Sequence, residues 1–174
     1  MKYTIYDQWR LWESVKWTNP TVSWRSGWIE NGFCPECRLC CGPQPGDEPF
    51  PMALLPKQIY PGIEKVFYMY DSTHASLDER GCKALGERGC MEVRENRPPA
   101  CGLFPIVLGS GQLYLYTVCP ASIFLPISLW FNLGQKVKDW LLKFSISDLK
   151  HLNIDIPESV LTDRYVDLHL KILE

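Results

Sequence analysis

The run Cys34-Pro35-Glu36-Cys37-Arg38-Leu39-Cys40-Cys41 carries half of the eight cysteines of this 174-residue chain. Its first three thiols follow one another at intervals of two residues, so a tight loop can turn them toward one centre without long-range contacts. Cys41 follows Cys40 directly, and because neighbouring side chains on an extended chain point apart, the two need not bind the same ion. This spacing predicts a loop that binds a metal through its sulfurs.

Four further cysteines follow in two segments that we predict to be β-hairpins. The turn residues Gly86 to Gly89 separate Cys82 from Cys90, and the turn 109–111 separates two apolar, β-rich runs that lie between Cys101 and Cys119. Antiparallel pairing across each turn would bring the two members of each couple near one another. The total suffices for two four-sulfur sites or for one site with spare thiols. The predicted metal ligands are Cys34, Cys37, Cys40, Cys41, Cys82, Cys90, Cys101 and Cys119.

The spacing of the thiols favours an iron–sulfur cluster over zinc. Three thiols at this spacing, completed by a distant Cys-Pro such as Cys119-Pro120, resemble the bacterial ferredoxin-type run that holds a [4Fe–4S] cluster. Zinc is the alternative, because tetrahedral four-cysteine zinc sites are common. Either centre with four thiolates carries a net negative charge. Cations near the cysteines in sequence that could compensate it are Arg38, Lys83, Arg88, Arg94 and Arg97.

The composition and charge of the chain limit the partners and the cellular location that we expect. The chain has 18 Lys and Arg against 20 Asp and Glu, without a basic block that could neutralise phosphates, so we expect no nucleic-acid partner. Residues 98–135 lack charge, but Pro105, Pro120 and Pro126 break them into pieces too short to span a membrane. The first thirty residues hold no continuous apolar segment, so we expect a cytoplasmic protein. A reducing cytoplasm favours metal-bound thiols over disulfides.

The segments on either side of the cysteines have helical patterns. Aromatic residues recur every third position near the N-terminus, which predicts a helix with an aromatic face for the core or for a protein partner. After residue 121 the sequence predicts a helix through Val137 and Leu141, a second near Ser147, and a third that contains Leu161 and Tyr165. We therefore predict one α+β domain over residues 1–174, a small cysteine-rich metal-binding fold with two β-hairpins. Its parts are an aromatic helical segment (1–30), a cysteine-cluster core (31–120) and a helical cover (121–174).

Several motifs together resemble a known family. They are Cys34-x2-Cys37-x2-Cys40-Cys41, Gly81-Cys82-x-Ala84-Leu85, Cys90, and Arg94-Glu-Asn-Arg97-Pro98-x-x-Cys101-x-x-Phe104-Pro105. In this order they are similar to the CxxCxxCC cysteine-cluster family of zinc- or iron-chelating domains, over about half of the chain. The family often has Tyr where Arg94 stands and Arg where Gly102 stands. The resemblance implies a small metal-chelating module, and some relatives resemble flagellin lysine-N-methylases.

Three classes of function follow from this reading. The first is an iron–sulfur protein in redox chemistry or electron transfer, the second a structural-zinc module that binds a protein partner, and the third an enzyme of the protein-lysine methylation type. A glycine-rich nucleotide fingerprint is absent from the sequence, since the residues after the turn 109–111 are strand-like. Isolated histidines, which we expect at the surface or in packing, are His74, His151 and His169.

Overall fold

The structure is a computed structural model that describes residues 21–44, 50–87 and 89–173. These residues form two compact units, and both contain helices and strands. We call Thr21 with Gly32–Pro99 the cysteine unit, and Val22–Asn31 with the residues from Ala100 onward the helical unit. The α+β class is thereby confirmed. The single-domain boundaries and the aromatic helix over residues 1–20 stay predictions, and the latter lies outside the described residues.

The regular elements are short, apart from one helix of 15 residues. In chain order the strands are β1 (Val22–Arg25), β2 (Trp28–Asn31), β3 (Phe50–Ala53), β4 (Tyr68–Met69), β5 (His74–Leu77), β6 (Leu85–Gly86), β7 (Gly89–Cys90), β8 (Ile106–Gly109), β9 (Gln112–Tyr116) and β10 (Tyr165–Lys171). The α-helices are α1 (Cys34–Cys37), α2 (Pro99–Leu103), α3 (Pro120–Phe124), α4 (Ile127–Leu141), α5 (Ile146–Leu152) and α6 (Glu158–Arg164). Single 3-10 turns cover Pro56–Gln58, Ile63–Lys65 and Arg94–Asn96.

The cysteine unit is built on an antiparallel sheet in the order β3-β5-β4. Strand β3 pairs along its whole length with β5, from Phe50 opposite Leu77 to Ala53 opposite His74. Apolar side chains of the sheet and of the chain that follows it are buried, which gives this unit a core of its own. The buried residues include Met52, Leu54, Leu55, Ile63, Phe67 and Ala75.

The helical prediction for residues 1–30 is wrong from Val22 onward. Strands β1 and β2 pair in antiparallel register, with Arg25 opposite Trp28. The connecting Ser26 and Gly27 both have positive φ, 48° and 85°, which suits a two-residue hairpin loop between twisted strands. A Cβ on Gly27 would lie 2.6 Å from Nε1 of Trp140, so glycine also allows this close packing. The end of the segment predicted to be helical is therefore a β-hairpin.

The helical unit contains a second antiparallel sheet, in the order β10-β9-β8. Strands β8 and β9 pair across Ser110 and Gly111, both at positive φ. The third predicted C-terminal helix is only half correct, because α6 ends at Arg164 and Tyr165 begins β10. Tyr165 pairs with Tyr116, so β10 satisfies the edge of β9. Pairing with the edge of β9 therefore makes these residues a strand, although their local 3.6-residue pattern predicts a helix.

Helix α4 covers the helical unit with the face that the sequence predicts. Val137 and Leu141 are buried, and so are Leu133, one turn before Val137, and Trp130, two turns before it. Ser145 caps the N-terminus of helix α5, and its hydroxyl accepts a hydrogen bond from the Asp148 N–H at 3.1 Å. Across the described residues we find no helix with the length and apolar character needed to cross a membrane.

Candidate metal centre

The first four cysteines lie on two consecutive turns of the cysteine unit. Cys34 and Cys37 occupy the helical turn α1, which begins after the buried Phe33. Arg38 ends this turn in the left-handed conformation, at φ 50°. Its carbonyl oxygen then accepts hydrogen bonds from the N–H groups of Cys41, at 3.2 Å, and Gly42, at 2.8 Å. The eight residues from Cys34 to Cys41 therefore contain two successive turns, which keeps the loop compact.

Cys82 reaches this loop through main-chain contacts. Its N–H donates a hydrogen bond of 2.8 Å to the carbonyl oxygen of Cys41. The N–H groups of Gln44 and Gly81 both donate to the Asp78 carbonyl oxygen at 2.9 Å, which holds the segment after the loop against the segment before Cys82. Two stretches of chain that are about 40 residues apart are thus fixed side by side.

Gly81 makes this close approach possible. Its φ is 76°, and a Cβ at this position would lie 2.8 Å from the carbonyl carbon of Gly42 and 3.0 Å from the nitrogen of Pro43. Neighbouring main-chain atoms cannot move aside as a flexible side chain can. Both the backbone conformation and the space therefore require glycine.

Replacing Gly81 with alanine is expected to destabilise the cysteine unit by roughly 2–4 kcal/mol, from left-handed strain and main-chain overlap together. Gly62→Ala is the matched control, because Gly62 also has positive φ but only the Lys65 side chain lies within 4.0 Å of the added Cβ. It should cost about 1 kcal/mol. Urea unfolding followed by circular dichroism compares the two variants. Equal losses of stability would contradict the role given to the Gly81–Gly42 approach.

The hairpin predicted between Cys82 and Cys90 is present as two short paired strands. Gly86 pairs with Gly89, and Leu85 pairs with Cys90. Cys82 therefore does not face Cys90 across the strands, and the ladder continues instead through the N–H of Met91, which donates to the Ala84 carbonyl oxygen at 2.8 Å. Cys82 begins a turn before the strand, with its carbonyl oxygen accepting from the Leu85 N–H at 3.0 Å.

Two arginines form hydrogen bonds with backbone groups of the segments that carry the cysteines. The Arg38 guanidinium donates to the Glu87 carbonyl oxygen, which joins the cysteine loop to the turn between β6 and β7. Arg97 donates to the carbonyl oxygens of Glu92, at 2.8 Å, and Cys90, at 3.5 Å. Both side chains thus hold backbone groups of the hairpin with charge-assisted hydrogen bonds.

The thiols of this unit influence one another's protonation. A hydrogen bond with the Cys40 thiol lowers the pKa of Cys41 to about 7, against the effect of burial, and the Arg97 charge lowers it further. Burial raises the pKa of Cys82, and negative charge on Cys41 and on Cys90 raises it further. Cys41, Cys82 and Cys90 are therefore close enough to interact electrostatically, although the three belong to different turns.

The other predicted ligands lie in two places. Cys34, exposed, and Cys37, half-buried, share the loop of Cys40 and Cys41. Cys101 and Cys119 belong to the helical unit. Within the ranges that the structure describes, no three His, Cys, Asp or Glu side chains are arranged to hold a metal ion. The ligation predicted for the eight cysteines therefore stays a prediction.

Strand pairing does not place Cys101 opposite Cys119. The ladder of β8 and β9 ends at Ile106 and Leu115, followed by one bond of 2.9 Å from the Tyr116 N–H to the Pro105 carbonyl oxygen. Cys101 lies in α2, and Cys119 directly precedes α3, where burial raises the pKa of its thiol. The proline-rich flanks end the strands earlier than the apolar runs suggest.

Lys83 and two of the three histidines have partners other than the cysteines. Lys83 donates to the Glu64 carbonyl oxygen at 2.8 Å, and Arg88 lies outside the described residues. His74 contacts the Asp71 carboxylate at 2.9 Å, and His169 contacts that of Asp167 at 3.2 Å. Gln58, a buried side chain that donates to the Arg97 carbonyl oxygen, was not among the predicted residues. A lone glutamine two residues after a proline carries no sequence signal for such a role.

Comparisons of this chain with models of known protein families, with curated proteins and with solved structures find no match.

Proposed function

We propose that this chain is a metal-binding protein whose cysteine unit holds an iron–sulfur cluster through thiolates, with zinc as the alternative metal. The observation that supports it most is the approach of Cys41, Cys82 and Cys90, joined by the Cys41–Cys82 backbone hydrogen bond. Burial raises the pKa of Cys82, negative charge on Cys41 and Cys90 raises it further, and a bound cation would convert this repulsion between thiolates into ligation.

The number and type of donors suit either metal. Cys40, Cys41, Cys82 and Cys90 together supply four thiols. A [4Fe–4S] cluster and a tetrahedral zinc ion each require four such ligands. Cys34 and Cys37 on the same loop could replace one of them, and Cys101 and Cys119 remain predicted ligands of the helical unit. The thiols must rotate from their present hydrogen bonds to converge on an ion. The spacing of the first three cysteines supports the cluster, and with it a redox or electron-transfer role.

The test is the amount of iron, zinc and acid-labile sulfide per chain in protein purified without oxygen. We expect iron with a matching amount of sulfide and a brown colour, which would direct further work to electron transfer. Zinc without sulfide would instead make the cysteines a structural framework for binding a protein partner. Protein that holds neither metal, after reconstitution with iron and sulfide or with zinc, would overturn the proposal.

A further inference from the structure

Cys41 and Cys82 are in direct main-chain contact, although 40 residues separate them in the sequence. The Cys82 N–H donates a hydrogen bond of 2.8 Å to the Cys41 carbonyl oxygen. The covalent bonds on either side of this contact limit the distance between the two Cα atoms to about 6.7 Å at most. Disulfide-bonded cysteines have Cα atoms about 4.4–6.8 Å apart. The backbone therefore already holds this pair within the range of a disulfide.

The chain on both sides of the pair is fixed as well. The N–H groups of Gln44 and Gly81 both donate to the Asp78 carbonyl oxygen at 2.9 Å. A Cβ on Gly81 would lie 3.2 Å from the Cys41 carbonyl oxygen and 2.8 Å from the Gly42 carbonyl carbon, so the two main chains touch here. All of these contacts use main-chain atoms and none uses a thiol. A crosslink would thus join two segments that the folded chain already holds together, which removes most of the entropy cost of closing the loop.

The other cysteines near Cys82 are less well placed. Cys90 pairs with Leu85 across the short hairpin, so the strands do not set it opposite Cys82. The main-chain hydrogen bond of Cys82 goes to Cys41 and not to Cys40, which favours Cys41. Burial raises the pKa of Cys82, and negative charge on Cys41 and then on Cys90 raises it further. Cys90 is therefore the competing partner that an experiment has to separate from Cys41.

We propose that Cys41 and Cys82 form a reversible disulfide when the chain meets an oxidant, which makes this pair a site of redox modification. Both residues are half-buried, so a small-molecule disulfide such as oxidised glutathione can reach them. One cysteine thiolate attacks a glutathione sulfur and releases the first glutathione thiolate, and the second cysteine thiolate attacks the mixed disulfide and releases the other. The electron pair and the two protons that the cysteines lose are taken up by the two glutathione thiols. The pairing needs no metal, so it does not depend on the proposed function.

The experiment equilibrates the full chain in glutathione redox buffers that contain a chelator, followed by acid quenching, alkylation and tryptic peptide mapping by mass spectrometry. Trypsin releases Cys82 in the peptide 81–83 and Cys41 in the peptide 39–57, so the mass of the linked pair identifies the crosslink. We expect it to be at least about tenfold more abundant than linkages of Cys82 to other peptides, because this pair needs no loop closure. In concentrated urea that preference should disappear.

Serine variants identify the bonded sulfur, because Cys40 shares the peptide 39–57 with Cys41. Cys41→Ser should lose the crosslink. Cys40→Ser, the matched control at the adjacent position, should keep it, and so should Cys90→Ser. Each change replaces one sulfur with oxygen and leaves the main-chain contact between the two segments in place.

The outcomes separate this inference from the proposed function. A crosslink that persists in Cys41→Ser, or one that joins Cys82 to Cys90 instead, would overturn the pairing. Equal abundance in urea and in native buffer would overturn it too, since the folded backbone would then not select the partner. So would a Cys82 that stays a thiol or a glutathione mixed disulfide in the oxidising buffers. A chain that binds neither iron nor zinc but forms the crosslink would overturn the proposed function and support this inference.

Discussion

The Cys82→Ser variant is expected to lose its metal almost completely and to lose several kcal/mol of stability in the cysteine unit. The N–H of Cys82 is hydrogen-bonded to the Cys41 carbonyl oxygen, which fixes the Cys82 backbone beside the loop of Cys34 to Cys41. A small shift of that loop cannot bring another thiol to the position of the Cys82 thiol. Binding of a structural metal adds directly to folding free energy, by about 10–16 kcal/mol for zinc in zinc-finger peptides, so loss of one ligand removes a large share. Metal and sulfide per chain give the first measurement, and hydrogen exchange of peptides from residues 50–87 gives the second.

The control for this variant is Met91→Ala. Met91 follows Cys90 and is 69% exposed, so its removal should change neither the metal content nor hydrogen exchange. The same measurements on Cys101→Ser and Cys119→Ser test the predicted ligands of the helical unit. Full metal content in Cys82→Ser, with exchange like that of wild type, would show that the centre does not use this thiol.

Replacing Gln58 with leucine should cost about 3 kcal/mol of unfolding free energy, because it leaves buried backbone groups without partners. Gln58 is 5% exposed, and its Oε1 accepts from the Leu55 N–H at 2.9 Å. Its Nε2 donates to the carbonyl oxygens of Glu95, at 3.1 Å, and Arg97, at 2.5 Å. Leucine has a similar volume and can offer none of these bonds. Urea unfolding followed by circular dichroism measures the loss.

Gln135→Leu makes the same chemical change on an exposed helix. Gln135 has a hydrogen bond of 2.9 Å to the Asp139 carboxylate, so its loss should change stability by no more than about 0.5 kcal/mol. Gln58→Glu keeps the acceptor for the Leu55 N–H but places a carboxylate oxygen against the carbonyl oxygens of Glu95 and Arg97, so it should cost at least as much as Gln58→Leu. If Gln58→Leu unfolds at the same urea concentration as wild type, the three bonds contribute little.

Local features of the fold were accessible from the sequence. Two closely spaced left-handed residues, Ser110 and Gly111, lie at the turn that the sequence analysis placed between two apolar runs. The amphipathic pattern of α4 also reports directly which side chains are buried, because helix periodicity and burial involve the same few residues. Information of this kind is contained within one short window of the chain.

Long-range features were not accessible in the same way. Tyr165 continues a helical pattern but enters a sheet, since its partner Tyr116 lies far back in the chain. Gly81 and Gln58 matter because of main-chain atoms at Gly42 and Arg97, and no periodicity marks such pairs. The candidate site shares this division: spacing predicts the loop of Cys34 to Cys41, whereas the approach of Cys82 depends on tertiary structure.

The order in which the two units are completed along the chain has a consequence during synthesis. The cysteine unit ends at Pro99, whereas the helical unit needs both its early hairpin and the strand Tyr165–Lys171. On a translating ribosome, all six thiols of the cysteine unit are therefore made about 75 residues before the strand that begins at Tyr165, an interval of roughly 4–15 s at 5–20 residues per second. In that interval β1 and β2 lack the sheet that completes their unit. Under the proposed function, metal binding by the nascent thiols would compete with their oxidation.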